Sequence, residues 1–211
     1  MQHYLLPLFL FLPLAAADFP PPAVDIPAPT TKQKSTIVLA GGCFWGVDAV
    51  YRHVQGVSEV VSGYAGGSRL TANYTTVSTG LTSHAESVKI TFDPSRISLG
   101  KLLQVYFSVA HDPTQLNRQG PDQGTQYRSA IFYTTDEQKR IAESYIQQLN
   151  QAKIFSKPIV TQLNQLAGFY AAEEYHQNYI ARNPGDPYII YNDLPKLKRL
   201  HQSFPELWTG K

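Results

Sequence analysis

The chain has 211 residues, of which 43% are hydrophobic, 12% aromatic and 16% charged, with a net charge of +2. It is too apolar for a disordered chain, and its scattered Lys and Arg residues argue against a nucleic-acid partner. A single cysteine excludes an intrachain disulfide framework and any zinc site built on two thiolates, and the length fits one domain.

Residues 5–17 read LLPLFLFLPLAAA, an apolar run ending in Ala15, Ala16 and Ala17. A free bilayer-spanning helix needs about 20 residues, so the run is too short for one. It predicts a secretory signal over residues 1–17, cleaved after Ala17, although the residues before it carry no Lys or Arg. The alternative is an uncleaved segment that anchors the chain to a membrane. Five prolines follow (Pro20, Pro21, Pro22, Pro27 and Pro29), so residues 18–34 are expected to form an extended, semi-rigid linker outside the core. Signal and linker together predict a periplasmic or secreted protein. In that setting an unpaired thiol is a candidate reactive group.

A domain over residues 35–211 then alternates strand and helix patterns. Residues 36–39 are β-branched and apolar and stop at Gly41-Gly42, as a buried strand does. Val47, Val50, Tyr51 and Val54 recur at helical spacing before Gly56. Residues 57–64 read as a strand, 68–83 as a polar loop, and 84–92 as a period-two strand closed by Asp93-Pro94. Ser98 is placed to N-cap a helix with its apolar stripe on Leu99, Leu102, Leu103, Tyr106, Phe107 and Ala110. Residues 111–126 form a long loop of the kind that carries function. Residues 130–133 give a short strand. Thr135 with Gln138 predicts a capping box for a helix bearing Ile141, Tyr145 and Leu149. Residues 159–163 suggest an edge strand, and Asp193 a cap for a basic helix with Leu194, Leu197 and Leu200. The order β-α-β-β-α-β predicts an α+β fold, a split βαβ (ferredoxin-like) two-layer sandwich with extra C-terminal elements.

Chemistry concentrates around Gly41-Gly42-Cys43-Phe44-Trp45-Gly46, where a strand meets a helix start. Unpaired N–H groups of a first helical turn facing the sulfur would hold Cys43 below the ordinary thiol range. Two successive aromatics cannot both face one helix stripe, so Phe44 or Trp45 should line a concave surface. Alternation puts Glu86 on the same strand face as Val88, Ile90 and Phe92. A carboxyl there should resist ionisation and could serve as a general acid; the alternative is a solvated or arginine-paired Glu86 at the strand end. Tyr74, Tyr127 and Tyr179 sit in or beside polar loops where a hydroxyl could meet a ligand. Asp122 fits its Pro121–Gly124 turn without further explanation. The histidines lack metal-site spacing, and no metal is assigned.

GCFWG at 42–46 resembles the signature of the A-type peptide methionine sulfoxide reductases. The resemblance continues through GYAGG at 63–67, the His-Ala-Glu at 84–86, HDPTQ at 111–115, DQGTQYRS at 122–129 and EYHQNY at 174–179, covering roughly residues 36 to 204. It implies reduction of the S epimer of methionine sulfoxide, free or in oxidised proteins under repair. Cys43 would attack the sulfoxide sulfur and become a sulfenic acid. Glu86 would protonate the sulfoxide oxygen, and Tyr74 and Tyr127 would hydrogen-bond it. Phe44 and Trp45 would enclose the methyl group, with Asp122 and Tyr179 in the same pocket. No bound cofactor is implied, and a monomer is expected. The chain lacks the further cysteines with which many members resolve the sulfenic acid, so an external thiol is required: glutathione, a glutaredoxin or a thioredoxin-like protein. Two other readings compete: a cysteine hydrolase pairing Cys43 with His176, and a secreted binding module for methionine side chains.

Overall fold

The computed structural model describes residues 19–29 and 33–210. Residues 1–18, with the expected signal and its cleavage point, lie outside the described residues. Six strands form one mixed sheet in the order β7-β6-β1-β3-β2-β8. β1 (Ser35–Ala40) leads through α1 (Phe44–Arg52) to β2 (Val57–Ala65), and β3 (Ala85–Phe92) inserts between them, antiparallel to both. That arrangement is a βαβ unit split by a third strand. β6 (Ala130–Tyr133) runs antiparallel beside β1, and β7 (Gln162–Gln165) is parallel to β6.

The helices and one sheet face share the main core. Ile37, Leu39, Val88, Ile90 and Ile131 meet Val47, Val50 and Tyr51 of α1 and Leu99, Leu102 and Leu103 of α3 (Leu99–Val105). The opposite face carries Val38, Ala40, Ala65, Ala85, Ala130 and Phe132, covered by Leu166 and Phe169 of the returning chain. The local caps form as the sequence expects. Ser98 accepts from Lys101 N–H at 3.1 Å, and Thr135 accepts from Gln138 N–H at 3.2 Å at the start of α4 (Asp136–Gln151). Past α3 the chain widens into a π-helical turn, Tyr106–Ala110, so the predicted apolar stripe stays buried to Ala110.

Four local expectations are revised. The loop at 68–83 contains a 3₁₀ turn (Arg69–Thr71) and a short α2 (Tyr74–Val77), stabilised where Asn73 Oδ1 accepts from Thr76 N–H at 3.0 Å. The loop at 111–126 folds into a small hairpin of β4 (Arg118–Gln119) and β5 (Asp122–Gln123). The strand expected at 159–163 is displaced to β7, and β8 (Phe169–Ala171) joins the sheet edge beside β2. Asp193 does not cap α6 (Leu194–Ser203). Its carboxylate is fully buried and instead takes the Lys196 ammonium at 3.0 Å. A short α5 (Tyr179–Arg182) completes the C-terminal part.

The larger revision concerns the proline-rich stretch. Residues 19–29 do not stand apart as a spacer; they dock along α3 and α4. Proline has no N–H to offer, so this stretch binds mainly through its carbonyls. The carbonyls of Phe19, Pro20 and Pro21 accept from Gln104 Nε2 (2.9 Å), Tyr145 Oη (2.8 Å) and Gln148 Nε2 (2.9 Å). Phe19 packs edge-on against Phe155 at 5.6 Å, and Val24 and Ile26 rest on the main core. Asp25 Oδ1 accepts from Gly100 N–H at 2.9 Å, capping the first turn of α3 from 75 residues away. Removing such a cap costs about 1 kcal/mol. Asp25→Ala is therefore expected to lower the melting temperature by roughly 2–4 °C, read by calorimetry; an unchanged transition would show that this bond contributes nothing.

Candidate active site

The site is built where β1 hands over to α1. Gly42 has φ +87, and a Cβ there would meet Gln119 Cβ at 2.6 Å, so the turn requires glycine. Cys43 follows as the N-cap residue of α1. Behind it, Gly46 lets the buried Asp193 approach the helix: a Cβ at Gly46 would lie 2.2 Å from Asp193 Oδ1. The acid comes from β3. Glu86 pairs in register with Tyr64 of β2 and is 2% exposed, on the apolar face that also carries Val88 and Ile90. Phe44 N–H donates to Glu86 Oε2 at 3.1 Å, joining the helix start to the strand.

Cys43 and Glu86 open into one cavity of about 180 Å³, lined also by Phe44, Trp45, Tyr74, Asp122, Tyr127 and Tyr188. The structure thus brings together seven of the eight residues singled out from the sequence. The eighth, Tyr179, stands one layer back. Its ring stacks on Trp45 at 3.6 Å with an interplanar angle of 4°, and its hydroxyl donates to Asp186 Oδ2. Tyr188 takes the place on the wall, donating its hydroxyl to Asp122 Oδ2. Tyr188 follows the polar turn Asn183-Pro184-Gly185-Asp186-Pro187, the same kind of company that drew attention to Tyr74.

Electrostatics correct one expectation. Burial pushes the Cys43 thiol well above its ordinary range, and the carboxyls of Glu86, Asp193 and Asp122 push it further; only the Trp45 N–H opposes them. The helix start does not overcome a dry site, in part because the Phe44 N–H is given to Glu86. The resting sulfur holds its proton. Glu86 behaves as expected: burial raises it to about 8, helped by Asp122 and opposed by the Phe44 N–H and the Cys43 thiol. Tyr74 and Tyr127 are raised by burial first and then by Glu86, so both remain O–H donors. Burial also raises Asp122, against the hydrogen bond from Tyr188 and the charge of Lys196. Among the described residues no three His, Cys, Asp or Glu side chains gather as a metal set. His176 does not line the cavity, and its Nδ1 is taken by the Trp45 indole N–H at 3.1 Å, which leaves no Cys–His pair for a hydrolase.

A thiol and a carboxyl held protonated by burial face one small cavity walled by aromatic side chains, the pairing that nucleophile-and-acid chemistry requires. The comparisons with known proteins agree. Residues 35–207 match the family model described as peptide methionine sulfoxide reductase. Peptide methionine sulfoxide reductase MsrA 2 of Mesorhizobium japonicum is 60% identical over 176 residues, spanning 83% of this chain and 90% of that one. The protein of the same name from Synechocystis is 50% identical over 200 residues, or 94% and 93% of the two chains. Among solved structures, the reduced form of Mxr1 from Saccharomyces cerevisiae aligns with a TM-score of 0.65 at 33% identity, over 74% of this chain and 92% of that one. Methionine sulfoxide reductase A of Corynebacterium diphtheriae aligns at 0.61 and 35%, over 72% and 76%. The chain belongs to the peptide methionine sulfoxide reductase family.

The raised Glu86 has a consequence for stability. Between pH 4.5 and about 8 the folded chain keeps a proton on Glu86 that the unfolded chain has released, so the stability this group contributes at low pH is lost as pH rises through about 8. Glu86→Gln removes that dependence. Its stability relative to the parent is expected to improve from pH 5 to pH 9 in denaturant unfolding; an equal difference at both values would contradict the shift.

Proposed function

We propose that this chain is an oxidoreductase that reduces methionine sulfoxide, free or within proteins, to methionine at the cost of external thiols. The observation that carries this reading is the shared cavity of Cys43 and Glu86, each holding its proton and both enclosed by Phe44 and Trp45. A sulfoxide oxygen leaves sulfur only once protonated, so an acid and a sulfur nucleophile must act on the same centre. In the proposed reaction Glu86 gives its proton to the sulfoxide oxygen while Cys43 Sγ attacks the substrate sulfur. The thiol proton passes to the Glu86 carboxylate as attack proceeds, which resets the acid and supplies the thiolate only when substrate is present. Attack joins Sγ to the substrate sulfur; the protonated oxygen then passes from that sulfur to Sγ as the new S–S bond breaks, and the products are methionine and a Cys43 sulfenic acid.

Tyr74 and Tyr127 donate to the oxygen in this scheme. Phe44 and Trp45 enclose the methyl, and Asp122, held by Tyr188, closes the polar side. Oxygen donors, methyl cage and nucleophile fix three points around a pyramidal sulfur, so one hand is favoured; the family resemblance implies that it is the S epimer. The scaffold under this site is proposed to be a ferredoxin-like core with C-terminal additions.

The sequence has one cysteine, so a second molecule resolves the sulfenic acid. One external thiol forms a mixed disulfide with Cys43 and releases water; a second restores Cys43 and leaves as a disulfide. Glutathione, a glutaredoxin or a thioredoxin-like protein satisfies this chemistry. The apolar run at residues 5–17 supports a periplasmic or secreted location for the reaction, or attachment to a membrane if the run is kept.

The direct test is conversion of S- and R-sulfoxide peptides with dithiothreitol, followed by chromatography. Reduction of the S form alone is expected. Cys43→Ser should abolish turnover. Glu86→Gln should slow it by roughly 10²–10⁴-fold, the range for loss of a general acid. Activity of the parent should fall as pH rises through about 8, because the acid form of Glu86 is then lost. Unchanged turnover in Glu86→Gln would remove the acid role. Inactivity with every external thiol would sink the single-cysteine cycle.

A further inference from the structure

The short turn after β8 touches the site without lining it. Glu173 Oε1 accepts from Tyr74 N–H at 2.9 Å, and its Oε2 accepts from Tyr64 Oη at 2.9 Å. Gln177 exchanges two hydrogen bonds with the Ser62 backbone in β2, each at 2.9 Å. Between them, His176 is 2% exposed, and its ring lies 4.4 Å from that of Tyr74 and 5.0 Å from that of Phe44. Its Nδ1 accepts the Trp45 indole N–H at 3.1 Å.

We propose that His176 is a positioning residue that holds Trp45 at the width the substrate methyl requires. An indole N–H only donates, and an imidazole nitrogen accepts only when it carries no proton. The contact therefore fixes His176 as the neutral ring with its proton on Nε2. Burial favours that neutral form, against the nearby Glu173 carboxylate. His176 Nε2 is buried with no hydrogen-bond partner among the described residues, so Nδ1 supplies the polar contact of this ring. Trp45 is then restrained in two directions. Tyr179 stacks on its face at 3.6 Å and prevents tilting, while His176 holds its edge and prevents swinging. Tyr188 meets it edge-on at 6.0 Å from the cavity side. Without the Nδ1 acceptor, only packing would oppose rotation of the indole in its own plane.

This inference rests on the reading of Phe44 and Trp45 as the methyl cage, and its test separates the two. Nitrogen-15 NMR of the full chain, with the indole signals assigned through Trp208→Phe, reads the contact directly. In the parent, His176 should show its proton on Nε2, and the Trp45 indole proton should exchange slowly. His176→Phe keeps a ring but no acceptor; His176→Asn loses the ring but retains an oxygen close to the Nδ1 position. Indole exchange should quicken at least tenfold in the Phe variant and much less in the Asn variant. With methionine sulfoxide, KM in the Phe variant should rise five- to thirtyfold, more than kcat falls, and ethionine sulfoxide should be turned over better relative to methionine sulfoxide than in the parent. A proton on Nδ1 in the parent would overturn the proposal without any variant. So would an unchanged indole signal in His176→Phe, or equal effects in both variants. Failure of the parent to reduce any sulfoxide would instead overturn the functional reading and leave the indole measurement to judge the contact.

Discussion

The rest of the site depends on one hydrogen bond between the start of a helix and the start of a strand. Phe44 N–H reaches Glu86 Oε2 at 3.1 Å, across 42 residues of sequence. It ties the peptide unit next to Cys43 to Glu86, so α1 cannot slide along β3 without separating the thiol from the carboxyl. The contact is anchored on both sides. The antiparallel register of β2 with β3 sets Glu86 opposite Tyr64, and α1 is pinned by its packing on the same sheet face. The glycine at 42 bends the chain tightly enough for Cys43 to reach the common cavity.

Burial explains why both groups rest neutral, and at Glu86 it does so against that bond. A lone helix N-terminus favours an anion, but here its first donor serves the carboxyl, and the surroundings are apolar. Burial outweighs what remains, so charge is avoided on sulfur and carboxyl alike. A resting thiol is also less open to stray oxidation than a thiolate. For a chain with a single cysteine, a thiol kept protonated at rest limits the loss of its one sulfhydryl to oxidation.

What could be read from the residues alone was local. Ser98 and Thr135 cap their helices with bonds spanning three positions, and β-branched runs mark β1 and β3. Strand alternation placed Glu86 on the buried face, because period two is a property of the backbone. What escaped depends on distant contacts. Tyr188 enters the cavity through its bond to Asp122, 66 residues away. α2 is four residues long, and its first N–H is held by Glu173 from 99 residues downstream. β8 has three residues and exists by pairing with β2. The state of the thiol escapes for the same reason: the helix start is visible in sequence, whereas the carboxyls of Glu86, Asp193 and Asp122 converge only in three dimensions.

The docked proline-rich stretch changes where the folding unit begins. A version of the protein trimmed to start at Ser35, its first strand, would leave the donors of Gln104, Tyr145 and Gln148 unanswered and expose apolar surface under Phe19, Val24 and Ile26. Residues 19–29 thus belong to the folded body, as a ribbon without strand or helix laid along the flank formed by α3 and α4.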